Sequence, residues 1–157
     1  MLNFAQLSTL DATLEFLAEQ IPPVVATDGK TYPFVGEKAC RARLESSEEL
    51  RIANAILMFH LQTSHEQLAR ETIDKNRRGL MSSHAAAASK TIALLLAGGT
   101  PAPDMEYRVD GMRFAGHEAF LAHVGSRYAK QLSRALRAKA MADNPALAIT
   151  AQMFSVK

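Results

Sequence analysis

The sequence predicts an α+β fold that is predominantly α-helical, a helix bundle carrying two short β-hairpins. Three observations predict it. Helix-start signals recur along the chain, two Asp-Gly pairs sit between short apolar runs, and the second half repeats the element order of the first. About eight or nine helices are expected from the capping and breaking residues.

Ser8 and Thr9 precede an apolar pattern at Leu10, Leu14, Phe16, Leu17 and Ile21, and Pro22-Pro23 ends it. Val24 to Thr27, Asp28-Gly29 and Lys30 to Val35 then read as a hairpin over 22–36. Gly36 leads into a short helix. Ser46-Ser47-Glu48-Glu49 supplies a cap and an acidic first turn for the next helix, which should bury Leu50, Ile52, Ala53, Ile56 and Phe59. Ser64 with Gln67 forms a capping box for a helix carrying Leu68, Ala69 and Ile73. After the basic turn from Lys75 to Gly79, Ser82-Ser83 opens an Ala-rich helix that Gly98-Gly99 stops. Met105 to Val109, Asp110-Gly111 and Met112 to Ala115 predict the second hairpin, within 103–116. Gly116 leads into one long helix with Leu121, Val124, Tyr128, Leu132 and Leu136 on a single face, and Asn144-Pro145 starts a last helix.

A shift of 80 residues lays Phe34, Gly36, Ala39, Ala42 and Ser46 onto Phe114, Gly116, Ala119, Ala122 and Ser126. The expected architecture is therefore a tandem duplication of a helix–hairpin–helices unit, with halves at 1–78 and 79–157. A half of that length is marginal alone, so the two should share one core as a single domain.

Composition narrows the function. The chain has 157 residues, 48% of them hydrophobic, and a net charge of +2, which excludes intrinsic disorder. One cysteine excludes a disulfide scaffold. No apolar run approaches the ~20 residues of a membrane span, and no export signal opens the chain, so a cytoplasmic protein without a membrane partner is expected.

The sequence carries no recognisable catalytic, metal-binding or cofactor motif. His65-Glu66 and His117-Glu118 begin a zinc-hydrolase pattern, but Ala69 and Leu121 replace the second histidine. His60, His65, His84, His117 and His123 are expected as partly exposed polar residues. Cys40 should be a buried structural thiol, since its counterpart in the repeat is Phe120. Ser82-Ser83-His84 lacks the turn of a nucleophilic serine, and Gly98-Gly99 follows a helix where a phosphate loop would precede one. Residues 66–89 carry a helix-turn-helix-like start at Gln67-Leu68-Ala69-Arg70, but the turn is too long and the second helix is alanine-rich.

Charge is the remaining signal. Residues 1–78 hold nine Lys/Arg and eleven Asp/Glu, whereas 79–157 hold nine and five. Arg127, Lys130, Arg134 and Arg137 fall on one helix face, with Lys139 nearby, and form a basic stripe suited to an acidic protein surface or a nucleic acid. The sequence thus points to a non-enzymatic binding protein acting through this face, an accessory or inhibitory protein of the kind a phage or mobile element carries. The alternatives are a DNA-binding regulator with an atypical helix-turn-helix and a virion or assembly subunit, which would form an oligomer.

Overall fold

A computed structural model describes residues 3–21, 36–61, 82–102 and 105–143. Within them a 3-10 turn (Phe4–Leu7) is followed by α1 (Leu10–Gln20), α2 (Glu37–Ser46), α3 (Glu48–Leu61) and α4 (Ser82–Leu96). A two-stranded antiparallel sheet, β1 (Tyr107–Val109) and β2 (Met112–Phe114), precedes α5 (His117–Ser126) and α6 (Ala129–Asp143). The predicted hairpin at 22–36, the helix from Ser64, the basic turn and the last helix from Asn144 lie outside the described residues, as does most of the helix-turn-helix-like segment.

Two of the predicted caps are made. Thr9 Oγ1 accepts from Ala12 N at 3.1 Å to start α1, and Ser47 Oγ accepts from Leu50 N at 3.3 Å to start α3. Helix ends that lack such caps borrow arginines. Arg43 donates to the Gln20 carbonyl at 2.8 Å behind α1, and Arg51 donates to the Leu44 carbonyl at 2.7 Å behind α2. Gly98, with φ +87°, closes α4 as its sequence position implied.

Helix α3 departs from the amphipathic pattern expected of it. Besides the predicted positions it buries Asn54, Ala55, Leu57 and Met58. A helix covered on all sides lies at the centre of the fold, and α1, α2, α4 and α5 all pack against it. The buried apolar residues form one cluster, from Leu7 and Leu17 through α3 to Ile92, Phe120, Tyr128 and Leu136.

Helices α3 and α5 approach each other closely. A Cβ on Gly125 would stand 1.7 Å from the Arg51 carbonyl oxygen and 3.1 Å from the Ala55 nitrogen, so only glycine fits. At the same crossing Asn54 Nδ2 donates to the carbonyls of Gly125 and Tyr128, at 2.9 and 3.4 Å. This contact corrects the single long helix predicted after Gly116. The chain instead breaks at Arg127-Tyr128 into α5 and α6. There the backbone tightens to three-residue spacing, from Arg127 N to Val124 O and from Tyr128 N to Gly125 O. The Asn54 amide adds a further donor at each of these carbonyls, beside Tyr128 N at Gly125 O and Leu132 N at Tyr128 O.

The duplication is not established by the described residues, since only one of the two hairpins lies among them. Its strongest block does agree in detail. Helices α2 and α5 are both ten residues long, both follow a glycine at the N-cap and start 80 residues apart.

Gly125→Ala should therefore destabilise the fold by about 3 kcal/mol or more, because backbone rather than a flexible side chain blocks the new methyl. Chemical denaturation of the variant checks this; a loss under about 0.5 kcal/mol, the size of an ordinary surface change, would contradict it.

Candidate binding face and a buried histidine cluster

Helix α6 buries Ala129, Leu132 and Leu136 against the core, and this face sets where its charges go. Lys130 and Arg134 are exposed on the opposite side, and Arg127 is exposed at the end of α5. Among the described residues these three have no ion-pair partner. Arg137 and Lys139 are half-buried and each engaged in an interaction of its own. Lys139 does not extend the stripe. At ~100° per residue it is turned about 140° from Arg134 around the helix.

Between those two side chains lies a groove of about 540 Å³, with α1 as its other wall. Leu10, Leu14 and Leu61 supply apolar lining, and Ala135, Ala138 and Ala142 keep the α6 wall shallow. Asp11 and Glu15 edge the α1 wall, whereas Arg134 and Lys139 edge the α6 wall. Sequence reasoning found the basic stripe but not the groove, because the groove needs α1 and α6, over 100 residues apart, to lie side by side.

A second constellation was misread from sequence. His84 is fully buried rather than partly exposed, and so is Tyr128. His84 Nε2 lies 2.9 Å from Asp110 Oδ2, and His123 Nε2 lies 2.8 Å from the same oxygen. His84 Nδ1 meets the Tyr128 hydroxyl. Because a carboxylate only accepts, both rings donate from Nε2, and in the neutral tautomer this leaves His84 Nδ1 to accept from Tyr128. The hydrogen bonds from His123 and His84 hold the Asp110 carboxyl below its ordinary range. Asp110 and Gly111, with φ of 53° and 75°, form the tight two-residue turn that the Asp-Gly pair predicted. The cluster therefore fastens the hairpin tip to α4, α5 and the α5–α6 junction. One signal was available beforehand: Tyr128 was placed on an apolar face, where a buried hydroxyl needs a partner.

The remaining candidates resolve simply. Cys40 is buried, and desolvation pushes its thiol up to about 11, a value for an inert structural cysteine. His60 is half-buried; its Nε2 donates to the Leu7 carbonyl at 2.8 Å, and burial lowers its pKa. Among the described residues no group of His, Cys, Asp and Glu is spaced to hold a metal ion, and none of their helices is long and apolar enough to cross a membrane.

Comparison with known proteins gives no match to a family model, a curated protein or a solved structure.

Among the described residues, the two groups with lowered pKa values bear on the acid response. His60 has a folded pKa below its unfolded value, so the unfolded chain binds the proton first and stability falls as pH drops below ~6.5. Asp110 is also depressed; its contribution is complete above ~3.9 and is lost as pH falls through the folded value. Denaturation midpoints across pH 7 to 2.5 should show His60→Gln without the first decline and Asp110→Asn with a smaller second one. Asparagine keeps the turn, since it tolerates positive φ. Tyr128→Phe should cost about 1–3 kcal/mol by leaving His84 Nδ1 unpaired in the core.

Proposed function

We infer that this is a non-enzymatic binding protein whose partner is a protein with an acidic surface, and that contact is made through the outer side of α6. The observation that carries the reading is the exposure of Arg127, Lys130 and Arg134, without ion-pair partners among the described residues, beside an apolar groove. Such a boundary between cations and apolar surface suits a protein partner, whose contact combines apolar burial with charge. A phosphate backbone has no use for the groove, and the aromatic nearest the stripe, Tyr128, is buried and closed to base stacking. The non-enzymatic part of the reading is supported by the histidine cluster, whose hydrogen bonds go to docking the hairpin and whose Tyr128 and His84 are shut off from solvent.

The matched lengths and glycine caps of α2 and α5 favour a duplicated origin for the two halves. The buried, unpaired thiol of Cys40 fits a reducing, cytoplasmic setting.

Capture from nuclease-treated cell lysate tests the proposal. The wild-type chain should retain a protein partner after nuclease, release it at raised salt, and lose it in the Arg127→Gln, Lys130→Gln, Arg134→Gln, Arg137→Gln variant. The changes at Arg127, Lys130 and Arg134, which are exposed, should leave thermal stability nearly unchanged, and any loss traces to Arg137, which is half-buried and engaged. Material lost on nuclease treatment would move the reading to nucleic acid; four phosphate contacts would then give a log–log salt slope of about −3 to −4 on duplex DNA. Unchanged capture by the quadruple variant would make the stripe a solvated face.

A further inference from the structure

We propose that the groove between α1 and α6 is a docking site for one amphipathic helix of a partner protein, acidic along one flank and basic along the other. It rests on the reading of α6 as the contact side and adds the shape and charge of what binds there.

The groove's dimensions select a helix. Its α6 wall runs from Gln131 to Ala142, which at ~1.5 Å per residue is about 17 Å, or roughly three helical turns. The lining residues on that wall recur at three- and four-residue spacing, so the wall is a single straight stripe parallel to the groove. A helix laid along it would seat side chains at i, i+3 or i+4, and i+7 against Leu10, Leu14 and Leu61. The small side chains of Ala135 and Ala138 leave the depth for that approach.

The walls select the charge pattern. Asp11 and Glu15 stand one helical turn apart on α1, both exposed. Arg134 stands exposed on α6 across from them, with Lys139 deeper on the same wall. A helix with acidic residues on both flanks would meet Asp11 and Glu15, and one with basic residues on both would meet Arg134. One flank of each sign satisfies both walls and sets the direction in which the helix lies.

Three synthetic 15-residue peptides test this, sharing one leucine stripe at i, i+3, i+7 and i+10. Their flanks are Glu and Lys, Glu and Glu, or Lys and Lys, and binding to the full chain is read by fluorescence anisotropy. The mixed peptide should bind at least tenfold more tightly than either other. Glu15→Lys should shift the preference to the Glu-only peptide, and Arg134→Glu to the Lys-only one. Ala138→Glu, an exposed position in the groove, should weaken all three at least tenfold with an unchanged melting temperature.

The failures separate. Preference of the wild-type chain for the Glu-only peptide overturns the two-signed groove while leaving the basic face intact. Preference for the Lys-only peptide overturns both readings. Equal binding of all three, or binding indifferent to Ala138→Glu, overturns the groove as the site. Binding of none overturns a partner helix as its occupant, as does a dimer of the chain that Ala138→Glu dissociates.

Discussion

Contact between the backbones of α3 and α5 at Gly125 is the constraint on which the rest of the structure depends. With no room for a Cβ there, the two helices approach until the Arg51 carbonyl meets the Gly125 α-carbon. Close approach brings Asn54 within reach of the Gly125 and Tyr128 carbonyls, at the junction where α5 ends. The break in turn directs α6 away from the line of α5, along α2 and α1. Asn54 gains two acceptors at a cost, because its own Oδ1 has no partner among the described residues. An unsatisfied oxygen in the core is tolerable only where the donated bonds matter more.

Tyr128 connects this crossing to the histidine cluster. Its carbonyl receives the Asn54 amide, and its hydroxyl engages His84, which continues to Asp110 and His123. Two hydrogen-bonded stretches, joined by the covalent frame of Tyr128, thus run from the centre of α3 to the tip of the hairpin. A two-stranded hairpin is marginal by itself, and two further contacts hold it down: Tyr107 stacks on Phe120 at 4.6 Å, and Phe114 packs near His123. On the outer face the register sets Arg108 opposite Arg113, with Glu106 between them as a shared counter-charge.

Local features were legible in the sequence. Thr9, Ser47, Gly98 and the Asp110-Gly111 turn all lie where side-chain chemistry places them, because caps and tight turns depend on a few adjacent residues. Burial of Cys40 agrees with its alignment to Phe120 under the 80-residue shift. What pattern reading missed is non-local. The periodicity from Leu121 to Leu136 runs through Arg127-Tyr128 without a phase change and so hides the break; Gly125 is the local sign of it, and the Asn54 contacts at the junction come from over 70 residues earlier. His84 looks polar in an alanine-rich stretch, and its burial follows only once Asp110 and Tyr128 converge on it. The basic stripe was visible as spacing, and the same spacing turns Lys139 away from it.

The central claim is that the helix crossing and the histidine cluster form one coupled unit through Tyr128. A double-mutant cycle between Asn54→Ala and Asp110→Asn, read by chemical denaturation at neutral pH, tests it most directly. The two residues make no direct hydrogen bond; their link is Tyr128 and His84. The account predicts a coupling of about 0.5 kcal/mol or more, as residues sharing one hydrogen-bond network show. Additivity within about 0.3 kcal/mol would contradict it and make the crossing and the cluster independent.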